Sequence, residues 1–189
     1  TCTFSNSQRG TIVVKKVTDP VGGTGFSFTD DIEAPNNFTL DHGDTKTFND
    51  VVPDTYTVTE DDPTPAFDLT GLTCVEDDTN NSTTDPGARQ ATISLDAGET
   101  VTCTFTNTKQ FILTVSKAGS GTGTVISDPS GIFCGADCTE YYSKGTVVTL
   151  RAQPGVKSYF VSWSGDCSGT DPTTTVTMDA DKTCIANFG

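Results

Sequence analysis

The sequence predicts an all-β protein built from two small domains in series. Val, Ile, Phe, Tyr and abundant Thr recur in short runs, and Gly, Pro, Asp and Asn interrupt these runs about every ten residues. No stretch shows a sustained helical spacing of apolar residues. A length of 189 residues leaves room for two small domains.

Residues 1–9 are predicted to be a closing strand that belongs to a preceding domain or a neighbouring subunit. Thr1–Ser7 repeat Thr102–Thr108 almost letter for letter, which is typical of a cut through a tandem array. The repeat places Cys2, Phe4 and Asn6 where the later copy has Cys103, Phe105 and Asn107. We expect Cys2 to form an intermolecular or inter-domain disulfide and Asn6 to echo the role of Asn107.

Residues 10–110 are predicted to form a β-sandwich of about seven short strands. The closing strand, Val101–Lys109, alternates with period two, and the same alternation or a short apolar run marks the other segments. Those segments are 11–17, 25–29, 38–40, 47–48, 55–60, 67–75 and 91–95.

Residues 111–189 use different sequence motifs and are predicted to form a smaller β domain of five or six strands, with Trp163 as its core anchor. The predicted strands are 111–115, 125–126, 145–152, 159–167, 175–178 and 183–188. We expect the domain boundary at Lys109–Phe111, with few contacts across it.

Composition indicates an oxidising, extracellular location. The chain holds seven cysteines but one methionine and one histidine. Its net charge of −14 argues against nucleic acid and anionic membranes as partners, and no apolar run is long enough to span a membrane. No cofactor and no metal are expected. Acidic clusters such as Glu60–Asp62 and Asp77–Asp78 lack a recognised calcium-loop spacing, so solvated loops are preferred to calcium sites.

Three polar residues continue apolar strand faces: Lys16 follows Ile12 and Val14, Glu60 follows Tyr56 and Val58, and Asn107 follows Cys103 and Phe105. Burying any of them alone would be costly. Buried together, a neutral lysine can attack the asparagine carboxamide while a protonated glutamate shuttles the proton, which yields an amide and releases ammonia. Val13-Lys15-Val17 is an equally apolar face, so Lys15 is the second candidate for the reacting lysine. The alternative to a crosslink is a solvent-exposed Lys–Glu ion pair at the strand ends.

Residues 11–109 resemble the prealbumin-like, Cna-B (SpaA-type) β-sandwich that bacterial surface proteins and pilins string in series. The motifs are Lys16–Asp19, Pro53–Glu60 and Phe105–Asn107, in the family's order. This resemblance implies the same trio of Lys16, Asn107 and Glu60 as an intramolecular isopeptide site, and it favours Lys16 over Lys15.

Residues 111–189 resemble the bacterial repeat related to the internalin B-repeat. The motifs are Gly145–Ala152, Phe160–Gly165 and Met178–Phe188. Cys184 stands where this repeat has a small or apolar residue, so no disulfide pairing is taken over from the family.

Six cysteines are predicted to form disulfides within the two domains. Cys74 and Cys103 lie on neighbouring late strands and most simply pair with each other. The other four permit three pairings, of which Cys134–Cys138 with Cys167–Cys184 is preferred. The alternative to the Cys134–Cys138 disulfide is a zinc site that uses these two cysteines as ligands.

We therefore expect an extracellular structural module of a bacterial surface array or fibre. Its partners would be neighbouring copies of itself or adjacent repeats, with any host or surface ligand unknown. It would not be an enzyme beyond one autocatalytic crosslink. The rival function is an adhesin or carbohydrate-binding module, for which Tyr141-Tyr142 and Tyr159-Phe160 are the candidate aromatic platforms. His42 lies in a predicted turn and has no nucleophile partner.

Overall fold

The computed structural model describes residues 8–77 and 81–189, and the chain divides into two compact units between Lys109 and Gln110. The all-β prediction is confirmed, because every regular element in the described residues is a strand. These residues contain no helix that is long and apolar enough to cross a membrane. The predicted closing strand at residues 1–9 lies almost entirely outside the described part of the chain, and so do Cys2, Phe4 and Asn6.

Unit 1 is a sandwich of two sheets. The first sheet has the order β6–β9–β1–β4, in which β1 and β9 run parallel and the other pairs are antiparallel. Its strands are β1 (Gly10–Asp19), β4 (Thr45–Val51), β6 (Phe67–Glu76) and the first half of β9 (Thr100–Gly119).

The second sheet of unit 1 has the order β3–β2–β5–β8–β7 and is entirely antiparallel. Its strands are β2 (Phe26–Asp30), β3 (Asn37–Leu40), β5 (Asp54–Glu60), β7 (Thr83–Asp85) and β8 (Gln90–Leu95). Strand alternation directs every second side chain between the two sheets. The core so formed contains Ile12, Val14, Phe28, Phe48, Val58, Ile93, Val101 and Phe105, each at most 1% exposed.

Unit 2 also has two sheets. One contains β13 (Phe160–Gly165), β15 (Lys182–Phe188), the second half of β9 and β11 (Thr139–Ser143), in that order. The other contains β10 (Gly123–Asp128), β12 (Val147–Pro154) and β14 (Thr173–Thr177). As predicted, Trp163 is a core residue of this unit, and it packs with Leu113, Leu150, Met178 and Phe188.

The strand count differs from the sequence prediction in two places where the chain is polar. β7 lies inside the predicted polar loop of residues 77–89, and β11 lies in a segment for which no strand was predicted. β7 has three exposed residues and pairs with β8, and β11 pairs with β9 and buries only Tyr142, so neither has apolar residues at every second position. A third difference is that β9 is one strand, where the sequence predicted two strands separated near Gln110.

Candidate crosslink site

Strand β1 places Lys16 in the core of unit 1. The residues Ile12, Val14, Lys16 and Thr18 are all at most 2% exposed. Lys15 points the other way and is exposed, opposite Thr45 of β4. The alternation of the strand therefore selects Lys16 and excludes Lys15 from the interior.

Strand β9 brings Asn107 to the same face of the same sheet. Asn107 is fully buried and lies opposite Thr18 in the parallel β1–β9 pair, while Lys16 lies opposite Phe105. The offset of two residues places the Lys16 amino group beside the Asn107 carboxamide. Lys16 Nζ donates a hydrogen bond of 2.6 Å to Asn107 Oδ1.

Glu60 reaches the pair from the opposite sheet. It is the last residue of β5, it is 1% exposed, and its Oε1 lies 3.0 Å from Lys16 Nζ. Its backbone N–H donates to the carbonyl oxygen of Arg89, which fixes the end of the strand. The three predicted residues, which lie far apart in the sequence, thus converge on one point between the sheets.

The surroundings of the trio are aromatic and buried. Lys16 Nζ lies 4.2 Å from the ring centroid of Phe26, and Phe26 belongs to the same buried cluster as Phe28 and Phe105, whose rings pack edge to face with centroids 5.1 Å apart. Beyond the trio, Lys16 Nζ also lies within hydrogen-bond distance of the carbonyl oxygens of Phe105 and Val17, at 3.3 and 3.4 Å. Sequence reasoning did not assign Phe26 to the site, although its alternation with Phe28 indicated that both rings face inward.

Burial determines the protonation of the pair. Loss of hydration lowers the pKa of Lys16, against the opposing attraction of Glu60, which raises it. The same loss of hydration raises the pKa of Glu60, against Lys16, the nearby Asn107 side chain and Arg89, which lower it. Among the residues that the structure describes, neither oxygen of Glu60 has a hydrogen-bond partner of normal geometry, although Lys16 Nζ lies 3.0 Å from Oε1. Both directions favour a neutral amine beside a neutral carboxylic acid.

This arrangement contains the parts of an amide-forming reaction. A neutral primary amine is a nucleophile, and a carboxamide is an acyl group whose leaving group is ammonia. A protonated carboxylic acid within hydrogen-bond distance of the amine can polarise the carbonyl and move a proton. The site needs no open pocket for a substrate, because both reacting groups belong to the chain itself.

The six predicted intradomain cysteines stand in three disulfides. Cys74 lies directly opposite Cys103 in the β6–β9 pair and is bonded to it across a separation of 29 residues. In the chain-entropy model, closing such a loop contributes about 3–4 kcal/mol. In unit 2, Cys134 pairs with Cys138 and Cys167 with Cys184. The described residues contain no group of three His, Cys, Asp or Glu side chains that could hold a metal ion.

The candidate aromatic platforms are single exposed rings. Tyr141 and Tyr159 are 42% and 66% exposed, but their neighbours Tyr142 and Phe160 turn towards the core of unit 2. Tyr142 is 6% exposed and its hydroxyl bonds to Ser127 and to the Pro129 carbonyl oxygen. Tyr141 and Tyr142 are consecutive residues of β11 and face opposite sides, whereas Tyr159 lies in the loop before β13 and Phe160 begins that strand. Neither Tyr141-Tyr142 nor Tyr159-Phe160 therefore forms a two-ring surface.

Two family models match adjacent parts of the chain. A model described as a prealbumin-like fold domain matches residues 12–109, and one described as a divergent InlB B-repeat domain matches residues 113–189. Both resemblances inferred from the sequence are thereby confirmed. No curated protein matches the chain.

Several solved structures are similar to the chain. An adhesin from Mobiluncus mulieris, described as containing intramolecular disulfide, isopeptide and ester crosslinks, is 20% identical over 53% of this chain and 42% of its own, with a TM-score of 0.37. A streptococcal ancillary pilin is 10% identical over 97% and 63%, with a TM-score of 0.34. The shaft pilin SpaA of Lactobacillus rhamnosus GG is 10% identical over 96% and 98%, with a TM-score of 0.31. The chain thus spans less than half the length of the adhesin, and at these TM-scores the likenesses carry no functional information.

Proposed function

The chain belongs to the family of prealbumin-like fold domains, and we propose that it is an extracellular structural module of a bacterial surface fibre or array. Its first unit would be closed covalently by an amide bond between Lys16 and Asn107. One observation carries this proposal. Lys16, Glu60 and Asn107 are all buried, and Lys16 Nζ lies within hydrogen-bond distance of both Glu60 and Asn107. Burying a lysine and a glutamate among phenylalanine rings costs free energy, whereas an amide crosslink would give the trio a structural role.

The reaction balances without any co-reactant. Neutral Lys16 Nζ attacks Cγ of Asn107, so that an Nζ–Cγ bond forms and the carbonyl oxygen takes up negative charge beside the Glu60 acid. Glu60 donates its proton to Nδ2 of Asn107, and the carboxylate so formed accepts the proton that Nζ loses. The Cγ–Nδ2 bond breaks, one ammonia leaves, and Glu60 returns to its protonated form.

The reaction requires a particular pH range. Acidification protonates Lys16 and removes the nucleophile, and the lowered pKa of Lys16 moves this loss to lower pH than for an exposed lysine. Alkalinisation ionises Glu60 and removes the acid, and the raised pKa of Glu60 moves this loss to higher pH than for an exposed glutamate. The two shifts together raise the fraction of molecules in which both side chains are neutral.

The disulfide supports the same structural role. Cys74–Cys103 joins β9 to β6 on one side, and the proposed amide would join β9 to β1 on the other. Three adjacent strands of one sheet would then be covalently linked. Such a module suits load-bearing or spacing functions outside the cell, where disulfides persist.

We further propose that copies of the module associate, through strand donation or tandem repeats. The sequence of residues 1–9 matches the closing strand of the unit, with Cys2, Phe4 and Asn6 in the positions of Cys103, Phe105 and Asn107. Unit 1 already has those three residues on β9. Residues 1–9 would complete the sheet of a neighbouring copy or repeat, where Cys2 would form a disulfide.

Intact mass under non-reducing conditions tests the crosslink. The native chain should weigh less than the sequence by one ammonia after its disulfides are counted. The Lys16→Ala, Glu60→Gln and Asn107→Ala variants should recover the missing mass, because each removes one participant. Lys15→Ala is the matched control and should still lack one ammonia. A full mass for the native chain, or separate Lys16 and Asn107 peptides after digestion, rules out the amide.

A further inference from the structure

The outer edge of β1 changes partner beside the crosslink site. β4 pairs with β1 only as far as Lys15, opposite Thr45. Beyond that point the loop Asp41–Asp44 takes over. Lys16 donates its backbone N–H to the Asp44 carbonyl oxygen at 3.0 Å, and its own carbonyl oxygen accepts from the Gly43 N–H at 2.9 Å.

The next donor on that edge is the backbone N–H of Thr18, and its acceptor is a side chain. It donates to Nδ1 of His42 at 2.8 Å, in the place where a neighbouring strand would offer a carbonyl oxygen. Thr18 is only 2% exposed, so solvent would not readily replace a lost partner. The loop Asp41–Asp44 therefore extends the hydrogen bonding along this edge of β1, and the His42 imidazole supplies its last acceptor.

We propose that His42 is a positioning residue for the crosslink site, whose neutral imidazole completes the β1 ladder next to Lys16 and whose protonation releases that end of the strand. Its effect on amide formation rests on the proposed function. Its effect on β1 does not, because the hydrogen bond to Thr18 is independent of any reaction at Lys16.

The chemistry of the bond fixes the state of the ring. A backbone N–H can only donate, so Nδ1 must carry a lone pair and the ring proton must lie on Nε2. A protonated imidazole has hydrogens on both nitrogens and cannot accept from Thr18. Thr18 Oγ1 lies 3.1 Å from Nδ1, but it already donates to the Pro20 carbonyl oxygen and accepts from the Gly23 N–H. If Nδ1 carried a hydrogen and donated it to Thr18 Oγ1, the backbone N–H of Thr18 would still lose its acceptor.

Two described elements that carry the ring or hydrogen-bond to it contain charged residues, namely its own loop and β1. Asp41 and Asp44 belong to its own loop, where their carboxylates accept the N–H groups of Gly25 and Asp41 respectively. Lys16 and Asp19 belong to β1, and the segment 20–25, which contacts the loop, contains no charged side chain. A pH-dependent change at the Thr18 amide is therefore assigned to His42 only by comparison with a variant that keeps an acceptor but has no ring to protonate.

Amide hydrogen exchange of the full chain tests the proposal, with three proteins compared at pH 7.5 and pH 5.0. They are the native chain, His42→Asn and His42→Leu. Asparagine carries an acceptor oxygen at the same number of bonds from Cα and does not titrate, whereas leucine has no acceptor. Protection of the Thr18 amide is measured relative to Ile93 of β8, and intact mass is recorded for every sample.

In the native chain, protection of Thr18 should fall about tenfold from pH 7.5 to pH 5.0, the loss expected for one net hydrogen bond. His42→Asn should keep its protection at both values, and His42→Leu should lack it at both. The same pH response in the native chain and His42→Asn overturns the proposal, even if His42→Leu fails to fold. If no chain has lost ammonia, the crosslink is wrong, but the exchange data still decide the role of His42.

Discussion

Replacing Glu60 by glutamine should make unit 1 extensible under force. In the native chain, the proposed amide carries the load directly from Lys16 to Asn107, so the intervening residues cannot be pulled out. Glutamine has similar size but cannot shuttle the proton, so the amide does not form and these residues become free to extend.

The added extension follows from the sequence separations. Lys16 and Asn107 lie 91 residues apart, and the Cys74–Cys103 disulfide closes 29 of them, which leaves 62 that can lengthen. At about 3.4 Å per extended residue, the Glu60→Gln chain should gain about 210 Å of contour length over the native chain. With the disulfide reduced, the gain should rise to about 310 Å.

Single-molecule force spectroscopy measures this gain, with handles fused to both ends of the full chain. Lys15→Ala is the matched control, because Lys15 lies next to Lys16 but is exposed, and its extension should equal that of the native chain. Reduction of the disulfides should lengthen the Glu60→Gln chain in unit 1 but not the native chain between Lys16 and Asn107. Equal extensions for the native and Glu60→Gln chains without reductant would refute the reasoning.

Two further predictions concern the division into units and the association of copies. Trp163→Ala should cost about 3–5 kcal/mol of the stability of unit 2, and peptide-level hydrogen exchange in denaturant should show the unit 1 transition unmoved; a common shift of both would contradict independent folding. On non-reducing electrophoresis, the native chain should form disulfide-linked multimers that Cys2→Ser abolishes; a native chain that stays monomeric under oxidising conditions would count against the role of Cys2.

The period-two pattern predicted which polar residues enter the core, but it did not decide the face of β1. Val13-Lys15-Val17 and Val14-Lys16 are equally apolar in the sequence. The structure distinguishes them through tertiary pairing, since β9 lies parallel to β1 and β5 faces it from the other sheet. The register that puts Asn107 beside Lys16 is a property of the whole sandwich, and no local pattern encodes it.

The features missed by sequence reasoning are those without an apolar signal. β7 is polar throughout and β11 buries only Tyr142, so neither short strand has apolar residues at every second position. His42 was assigned to a turn, which is where it lies, but its bond to Thr18 depends on a loop replacing β4 along the edge of β1. Side chains that stand in for backbone acceptors have no sequence signature of their own.

The topology of unit 1 also determines how the proposed amide would be loaded. β1 and β9 run parallel, so the start of β1 at Gly10 and the exit of β9 from unit 1 at Lys109 lie at opposite ends of the pair. A pull on these two points slides the strands along each other, and all their hydrogen bonds resist together. The amide would sit near the exit end of this pair, between Lys16 and Asn107. Force would then pass from Gly10 along the first part of β1, cross at the amide, and leave through Lys109, while the second sheet and the disulfide loop carry none of it.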